Sequence, residues 1–484
     1  MSRSFFAVRG SRIRSALLIL FLALASPAAV HAALKDDFSW GGYFKNETAY
    51  RFVEPRSFTK IRNILDLNAR YKFSDNYSLS ASGWYYYDLV YDLFDYRTIS
   101  ARTTRESQQP LSFFENLLQE KDSNVLELRE FYLDAIYKNM DVRLGRQFVV
   151  WGLLTGVRIV DEIQPMDFRE LILPDLLDYR IPLWMAKVDY YGDNNQYEFL
   201  WIPDIRFHKP APRGSEWELL QDIRDVNGNL LIKYPNSQPK NWEWAFKVTR
   251  NIGENEVSLS YFYTYDDFPV NFRLSPFPAQ VGSPDPVFFP TYTRIQMYGA
   301  TLQRPFFGQV LKAELAYVKG KYFGIGEVDA NGDGFLDNLG ELKRDHIRWG
   351  LGIDFNVFKT DVSVGIAQWI ILGYDPHMVM DNYDTSLNMF LRKELIGRNA
   401  VFTLLGIWLV NLNEEYLKPK ITFNITDYFQ IGVGMDLLWG KKSQLGVAFA
   451  NGRPTDLVEV QQRSQFLGNF QDNSRVFVEF KYSF

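Results

Sequence analysis

The connections in this chain come in two sizes, and the sizes alternate. One series is tiny: Ser74-Asp75-Asn76, Lys138-Asn139-Met140, Gly192–Asn195, Gly253–Asn255, Phe307-Gly308, Phe358-Lys359, Gly397–Asn399 and Thr426-Asp427. The other is mostly long and covers roughly 94–124, 153–181, 204–241, 267–291, 322–344 and 441–473. The segments between them repeat every second residue, which is the period of a strand with two unlike faces. Leu65, Leu67, Ala69, Tyr71 and Phe73 alternate with Asp66, Asn68, Arg70 and Lys72. Ile347, Trp349, Leu351, Ile353 and Phe355 alternate with His346, Arg348, Gly350, Gly352 and Asp354. Lys418 and Lys420 stand between Leu417, Pro419 and Ile421, and Glu479 and Lys481 between Val478, Phe480 and Tyr482. Any one such strand also suits a water-soluble sandwich. Short turns at one end and long loops at the other suit a membrane-spanning barrel. Eight short turns and nine outer connections predict an all-β chain, a single closed antiparallel transmembrane β-barrel of about 18 strands with both ends on the short-turn, periplasmic side.

The ends of the sequence agree. Arg3, Arg9, Arg12 and Arg14 precede an apolar run from Ala16 to Ala25 and a small-residue stop at Val30-His31-Ala32. This is the pattern of a secretory leader, expected to be cut after Ala32, leaving 33–484 as the barrel. The run is about half of the ~20 residues a spanning helix needs. The other end is Phe484, closing an alternating aromatic strand, as in the terminal signal read by the barrel-assembly machinery. Localisation in the outer membrane of a Gram-negative cell follows, with outer-membrane lipid around the wall. Tyr and Trp cluster near strand ends at 84–87, 190–191 and 261–265, where interfacial girdles stand.

Removing the four leader arginines from the 53 basic residues leaves 49 against 58 acidic ones, a net charge of −9, so nucleic acid is not an expected partner. The chain has no cysteine, which excludes disulfides and thiolate metal sites. Beyond the leader the histidines are His208, His346 and His377. His346 begins a lumen-side strand with Asp345 beside it, but no serine signature accompanies it and it reads as a solvated strand-end residue, so no enzymatic activity is expected.

The loop Asp329-x-Asn331-x-Asp333-Gly334-Phe335-x-Asp337 has oxygen donors at calcium-loop positions, with the Phe335 carbonyl at the seventh. It departs from the pattern at position 12, where Gly340 stands and Glu341 follows one residue late. Calcium is the expected cofactor of this outer loop.

The segment Arg143-Leu-Gly-Arg-Gln147, then Val150-Trp151-Gly152, Arg158-Ile159, Pro165, Asp167 and Arg180–Pro182, resembles an uncharacterised family of proteobacterial outer-membrane barrels associated with RND-type lipid exporters. It is also similar, over the Gly-Arg-Gln strand, to the 18-stranded alginate-export porins. These resemblances imply an envelope conduit for lipidic or polymeric cargo, with an inner-membrane RND-type exporter and a periplasmic carrier as partners. The long loop after Trp151 mixes charges with Leu171, Ile172, Leu173, Leu176 and Leu177. It is expected to fold into the barrel and constrict it, the rival reading being a surface flap packed on its neighbours. Arg143, Gln147, Arg158, Asp161, Asp167, Arg169, Arg180 and Arg348 are the lumen and constriction candidates, with the loop charges pairing to Arg143 and Arg348 and the leucines facing cargo. Apolar stretches at 110–118, 276–281 and 286–290 are expected to pack into the mouth, against another loop or against an apolar cargo. The expected function is an outer-membrane transport conduit, porin-like or part of an exporter, for hydrophobic, amphipathic or polymeric cargo. The rivals are a general diffusion porin and a calcium-dependent surface adhesin or structural barrel.

Overall fold

The structure is a computed structural model that describes residues 37–54, 56–93, 124–175, 178–211, 216–217, 234–275, 287–326, 328–335, 337–395, 399–441, 449–450, 453–454 and 466–484. The expected leader, the stretches 110–118 and 276–281, and Leu176-Leu177 lie outside those residues. Eighteen strands form one sheet. They are β1 (Phe38–Arg51), β2 (Ser57–Ser74), β3 (Tyr77–Asp88), β4 (Asn124–Tyr137), β5 (Met140–Gln147) and β6 (Leu183–Tyr191). Then follow β7 (Asn195–Ile202), β8 (Glu243–Ile252), β9 (Asn255–Tyr265), β10 (Arg294–Phe306), β11 (Gln309–Gly324) and β12 (Glu341–Val357). The last six are β13 (Thr360–Ile371), β14 (Tyr383–Leu395), β15 (Ala400–Leu409), β16 (Glu414–Asn424), β17 (Phe429–Trp439) and β18 (Arg475–Ser483).

Each strand pairs antiparallel with its sequence neighbours, and β18 pairs back to β1 from Tyr43↔Ser483 to Arg51↔Arg475. Gly42 and Phe484 exchange two backbone hydrogen bonds of 3.0 Å at the seam. Closure leaves the sheet without an edge, which a hydrocarbon surround requires.

Seven of the eight predicted short turns join paired strands among the described residues; the eighth, Gly397–Asn399, lies largely outside them, between strands that pair. Two of them are two-residue hairpins with both central residues at positive φ: Phe307 and Gly308 at 50° and 77°, Phe358 and Lys359 at 50° and 58°. That backbone matches the twist of the flanking strands. The outer connection after β11 is shorter than read from sequence, because strand continues through Gly324 and resumes at Glu341. The connection after β9 carries its own small hairpin, Val270–Ser275 against Val287–Thr291.

The two wall faces are inverted relative to a water-soluble sheet. Leu351 is 52% exposed while Glu314, one position along the ladder, is 3% exposed. Leu67, Val433 and Phe480 are exposed in the same way, and Arg475, Asp436 and His346 are buried. Apolar outside and polar inside is the distribution of a wall solvated by lipid. Among the described residues no helix is long and apolar enough to cross a membrane, so strands do the spanning.

Candidate functional site

The interior is shaped by residues 148–182, which leave β5 and turn into the lumen. Gly145 prepares the turn: its φ is +136°, and a Cβ there would lie 2.1 Å from the Phe131 carbonyl oxygen. Only glycine fits that approach. Beyond it both Arg146 and Gln147 are buried. The Gln147 amide donates to the Met185 carbonyl at 3.2 Å, and Arg146 lies 3.5 Å from Glu127.

The first half of the loop is held by burial and by two glutamates. Val149, Trp151, Ile159, Val160 and Ile163 form one apolar core with wall residues such as Leu183, Leu200, Phe262 and Met297. Each such side chain contributes roughly 1.5–3 kcal/mol by leaving water. The Trp151 indole donates to Glu198 of β7 at 2.6 Å. Glu314 of β11 accepts from the Leu154 and Val160 amides at 2.8 and 3.2 Å, and from Leu153 as well. Glu314 thus takes the amide hydrogens that an irregular segment leaves over when buried, and Glu198 the one polar hydrogen of the Trp151 side chain.

At the bend, Arg158 donates to the carbonyls of Asp161 (2.6 Å) and Gln164 (2.9 Å). Arg180 closes on the Asp161 carboxylate. Arg348 of β12 donates to Glu162 at 2.8 Å and to His346 Nε2 at 2.9 Å. Burial works against the charge of Glu162, but Arg348 and Arg158 outweigh it and hold its pKa down to about 2. Residues 165–168 then lie between 179–181 and 207–209: Asp167 N–H donates to the Tyr179 carbonyl at 2.6 Å and Lys209 N–H to Met166 at 2.8 Å. His208 accepts the Met166 amide on Nδ1 at 2.8 Å. Burial, with Arg158 nearby, pushes the His208 pKa down to about 3, so this histidine is neutral.

The second half crosses to the opposite wall. Glu170 is buried and receives Lys60 and Arg62 of β2 at 2.6 Å each and Arg475 of β18 at 3.4 Å. Those cations outweigh burial and hold its carboxyl below the usual range. Lys418 of β16 donates to the Leu173 carbonyl at 2.7 Å and to Asp175 at 3.2 Å. Lys418 holds the Asp175 carboxyl low. Lys45 of β1 lies 3.7 Å from Asp178, whose carboxyl burial nonetheless pushes up.

Two cavities flank this bar. The larger, about 1560 Å³, is lined by Phe168, Ile172, Phe268, Trp369, Phe390 and Leu405 together with Arg158, Lys321, Arg348 and Lys418. The smaller, about 100 Å³, lies against Glu47, Lys60, Arg62, Glu170 and Arg475. Pro174, Asp175, Tyr179 and Lys418 border both and stand between them.

The expected constriction residues fall into three groups. Arg158, Asp161, Arg180 and Arg348 meet at the bend, and Gln147 anchors its root. Asp167 and Arg169 pair with each other, at 2.8 and 2.9 Å through Arg169 Nε. Arg143 does not meet the loop: it bonds Asp134 of β4 at 2.6 Å and stacks on Tyr132. Leu171 and Leu173 do not line the larger cavity, and of the two only Leu173 borders the smaller one. They are buried against Trp217, Tyr416, Leu438 and Phe470, because the 466–473 segment offers them an apolar bed. His346 is buried rather than solvated, and His208 is buried as well.

In the calcium-type loop, Asp329 accepts the Gly332 and Gly334 amides, Asp333 the Phe335 amide and Asp337 the Ala330 amide, at 2.7–2.9 Å. Asn331 donates to Asp333 at 3.2 Å. Among the described residues no three His, Asp or Glu side chains converge on a metal-sized point. The calcium expectation therefore rests on spacing alone. Glu198 and Glu314 escaped the sequence reading; their signal was an acidic residue on the inward register of otherwise apolar strands.

The fold and its inward bar define a single-chain, 18-stranded transmembrane β-barrel with a divided lumen. The chain belongs to the family described as protein of unknown function (DUF1302), which matches residues 58–341. No characterised protein matches it by sequence. Among solved structures it is similar to the crystal structures of Acinetobacter baumannii OccAB4 (10% identity, 93% of this chain and 99% of that one, TM-score 0.46) and OccAB2 (9%, 93% and 98%, 0.47). It is also similar to Pseudomonas aeruginosa OccK1 (8%, 93% and 99%, 0.46).

Proposed function

We propose that this chain is a conduit in the outer membrane for hydrophobic or amphipathic cargo, narrowed by the loop at 148–182. The leader-like pattern at 3–32, the alternating aromatic strand at 476–484 and the lipid-facing wall support that location. One observation carries the cargo class: the larger cavity sets Phe168, Ile172, Phe268, Phe390 and Leu405 beside Arg158, Arg348 and Lys418. A channel for small ions has no use for a half-apolar lining, whereas an amphiphile uses both halves. An RND-type exporter and a periplasmic carrier fit this reading as the source of cargo. Planar-bilayer recording tests it: the intact barrel should conduct weakly, and deletion of Asp167–Asp178 should raise single-channel conductance. A large open conductance in the intact barrel would make it a general diffusion porin. No conductance in either form would leave the adhesin or structural barrel. Lipid analysis of the purified protein addresses the cargo.

A further inference from the structure

The second half of the loop lies on a wall whose cations exceed the wall carboxylates that pair with them. Lys45 and Lys60 share Glu47, at 2.7 and 3.2 Å. Arg62 has Asp88 at 3.4 Å and Arg475 has Asp436 at 2.7 Å. Lys418 makes its ion pair with the loop, through Asp175. The loop supplies the balance: Glu170 fills the socket between Lys60, Arg62 and Arg475, Asp175 takes Lys418, and Asp178 approaches Lys45. Three cations around one carboxylate, all largely removed from water, form a built anion site rather than a solvated face. The socket also opens onto the smaller cavity, which Lys60, Arg62, Lys418 and Arg475 all line.

We propose that Lys60, Arg62 and Arg475, with Lys418, form a binding site for the anionic head group of the cargo, and that Glu170 and Asp175 of the loop occupy it as internal stand-ins. The inference rests on the conduit reading and deepens it: the cargo is an anionic amphiphile, a carboxylate or phosphate with an apolar tail. Its head displaces the loop carboxylates on β2, β16 and β18, while its tail lies along Phe390 and Leu405 in the adjoining cavity. Buried cations left without their loop partners are costly, so the loop yields only to another anion of similar reach. The same groups set ion selectivity: with the loop acids in place the bar is near neutral, and without them the wall favours anions.

Reversal potentials in a potassium chloride gradient test this on the full-length barrel in planar bilayers. The double variant Glu170→Gln with Asp175→Asn should raise the chloride-to-potassium permeability ratio on the order of threefold, because a low-dielectric lumen focuses fixed charge. The Asp167–Asp178 deletion should do the same, and it covers the case in which the double variant does not fold. Octanoate should block the deletion barrel, and Lys60→Gln with Arg62→Gln in that background should abolish the block. A conducting deletion barrel with unchanged selectivity and no octanoate block overturns the head-group site and leaves the conduit standing. Absence of conductance in every form overturns both.

Discussion

Arg348 and Glu162 meet at 2.8 Å although 186 residues separate them, and their contact joins the β12 wall to the bend of the inward loop. The sign of its pH dependence follows from the depressed Glu162 pKa of about 2. A carboxyl held below its unfolded value of about 4.3 contributes stability that is full above that value and is lost as pH falls toward the folded one. Conductance of the intact barrel should therefore stay constant from pH 7 to about 5 and rise only between roughly pH 4 and 2. Loosening already at pH 6 would mean that another group controls the bend.

Trp151 is the apolar anchor of the loop and spends its one polar atom on Glu198. Trp151→Ala should cost about 3–5 kcal/mol of local packing and leave the loop noisy in single-channel records. Trp151→Phe should cost less, about 1–3 kcal/mol, for the donor removed from a buried carboxylate. Equal, small effects of the two would mean that the loop is held elsewhere.

The Gly-Arg-Gln element has a steric basis at its first residue. Gly145→Ala would set a Cβ 2.1 Å from the Phe131 carbonyl and force alanine to φ +136°. A loss of at least about 1–3 kcal/mol is expected, seen as a lower midpoint for the heat-induced mobility shift of the folded barrel. An unchanged midpoint would show that β5 bends without strain at this position.

Calcium titration of the purified barrel should give heat with a dissociation constant on the order of 0.1–1 mM, the class of extracellular modules. Asp333→Ala should remove it. No heat in the parent protein makes the 329–337 segment an acidic turn closed by its own amides.

The wall was legible in the sequence because it obeys a local rule. Alternation at 65–73, 347–355 and 476–484 needs only period two and a lipid surround, and turns such as Phe358-Lys359 interrupt it visibly. The loop obeys no such rule. Charges and leucines mark 148–182 as amphipathic, but whether Leu171 faces cargo or a bed at Leu438 and Phe470 depends on a segment some 300 residues away. Arg143 shows the same gap. Its nearest acid is Asp134 across one hairpin, and that cross-strand neighbour outcompetes any loop carboxylate. Arg348 reaches Glu162 of the loop because the residues opposite it on β11 and β13, Ala316 and Trp369, offer it no carboxylate.

The seam between β1 and β18 has a consequence for assembly. Tyr43 and Ser483 pair across 440 positions of sequence, so this ladder closes against the largest loop entropy in the molecule. The strand that closes it also carries Arg475, one of the three cations on Glu170. Until the final ten residues are in place the wall is open on one side and the socket is short of a wall. Shutting the cylinder and completing the cation socket on Glu170 thus fall to the same strand, whereas the first half of the bar, held by Glu198, Glu314 and Arg348, needs only strands that precede it.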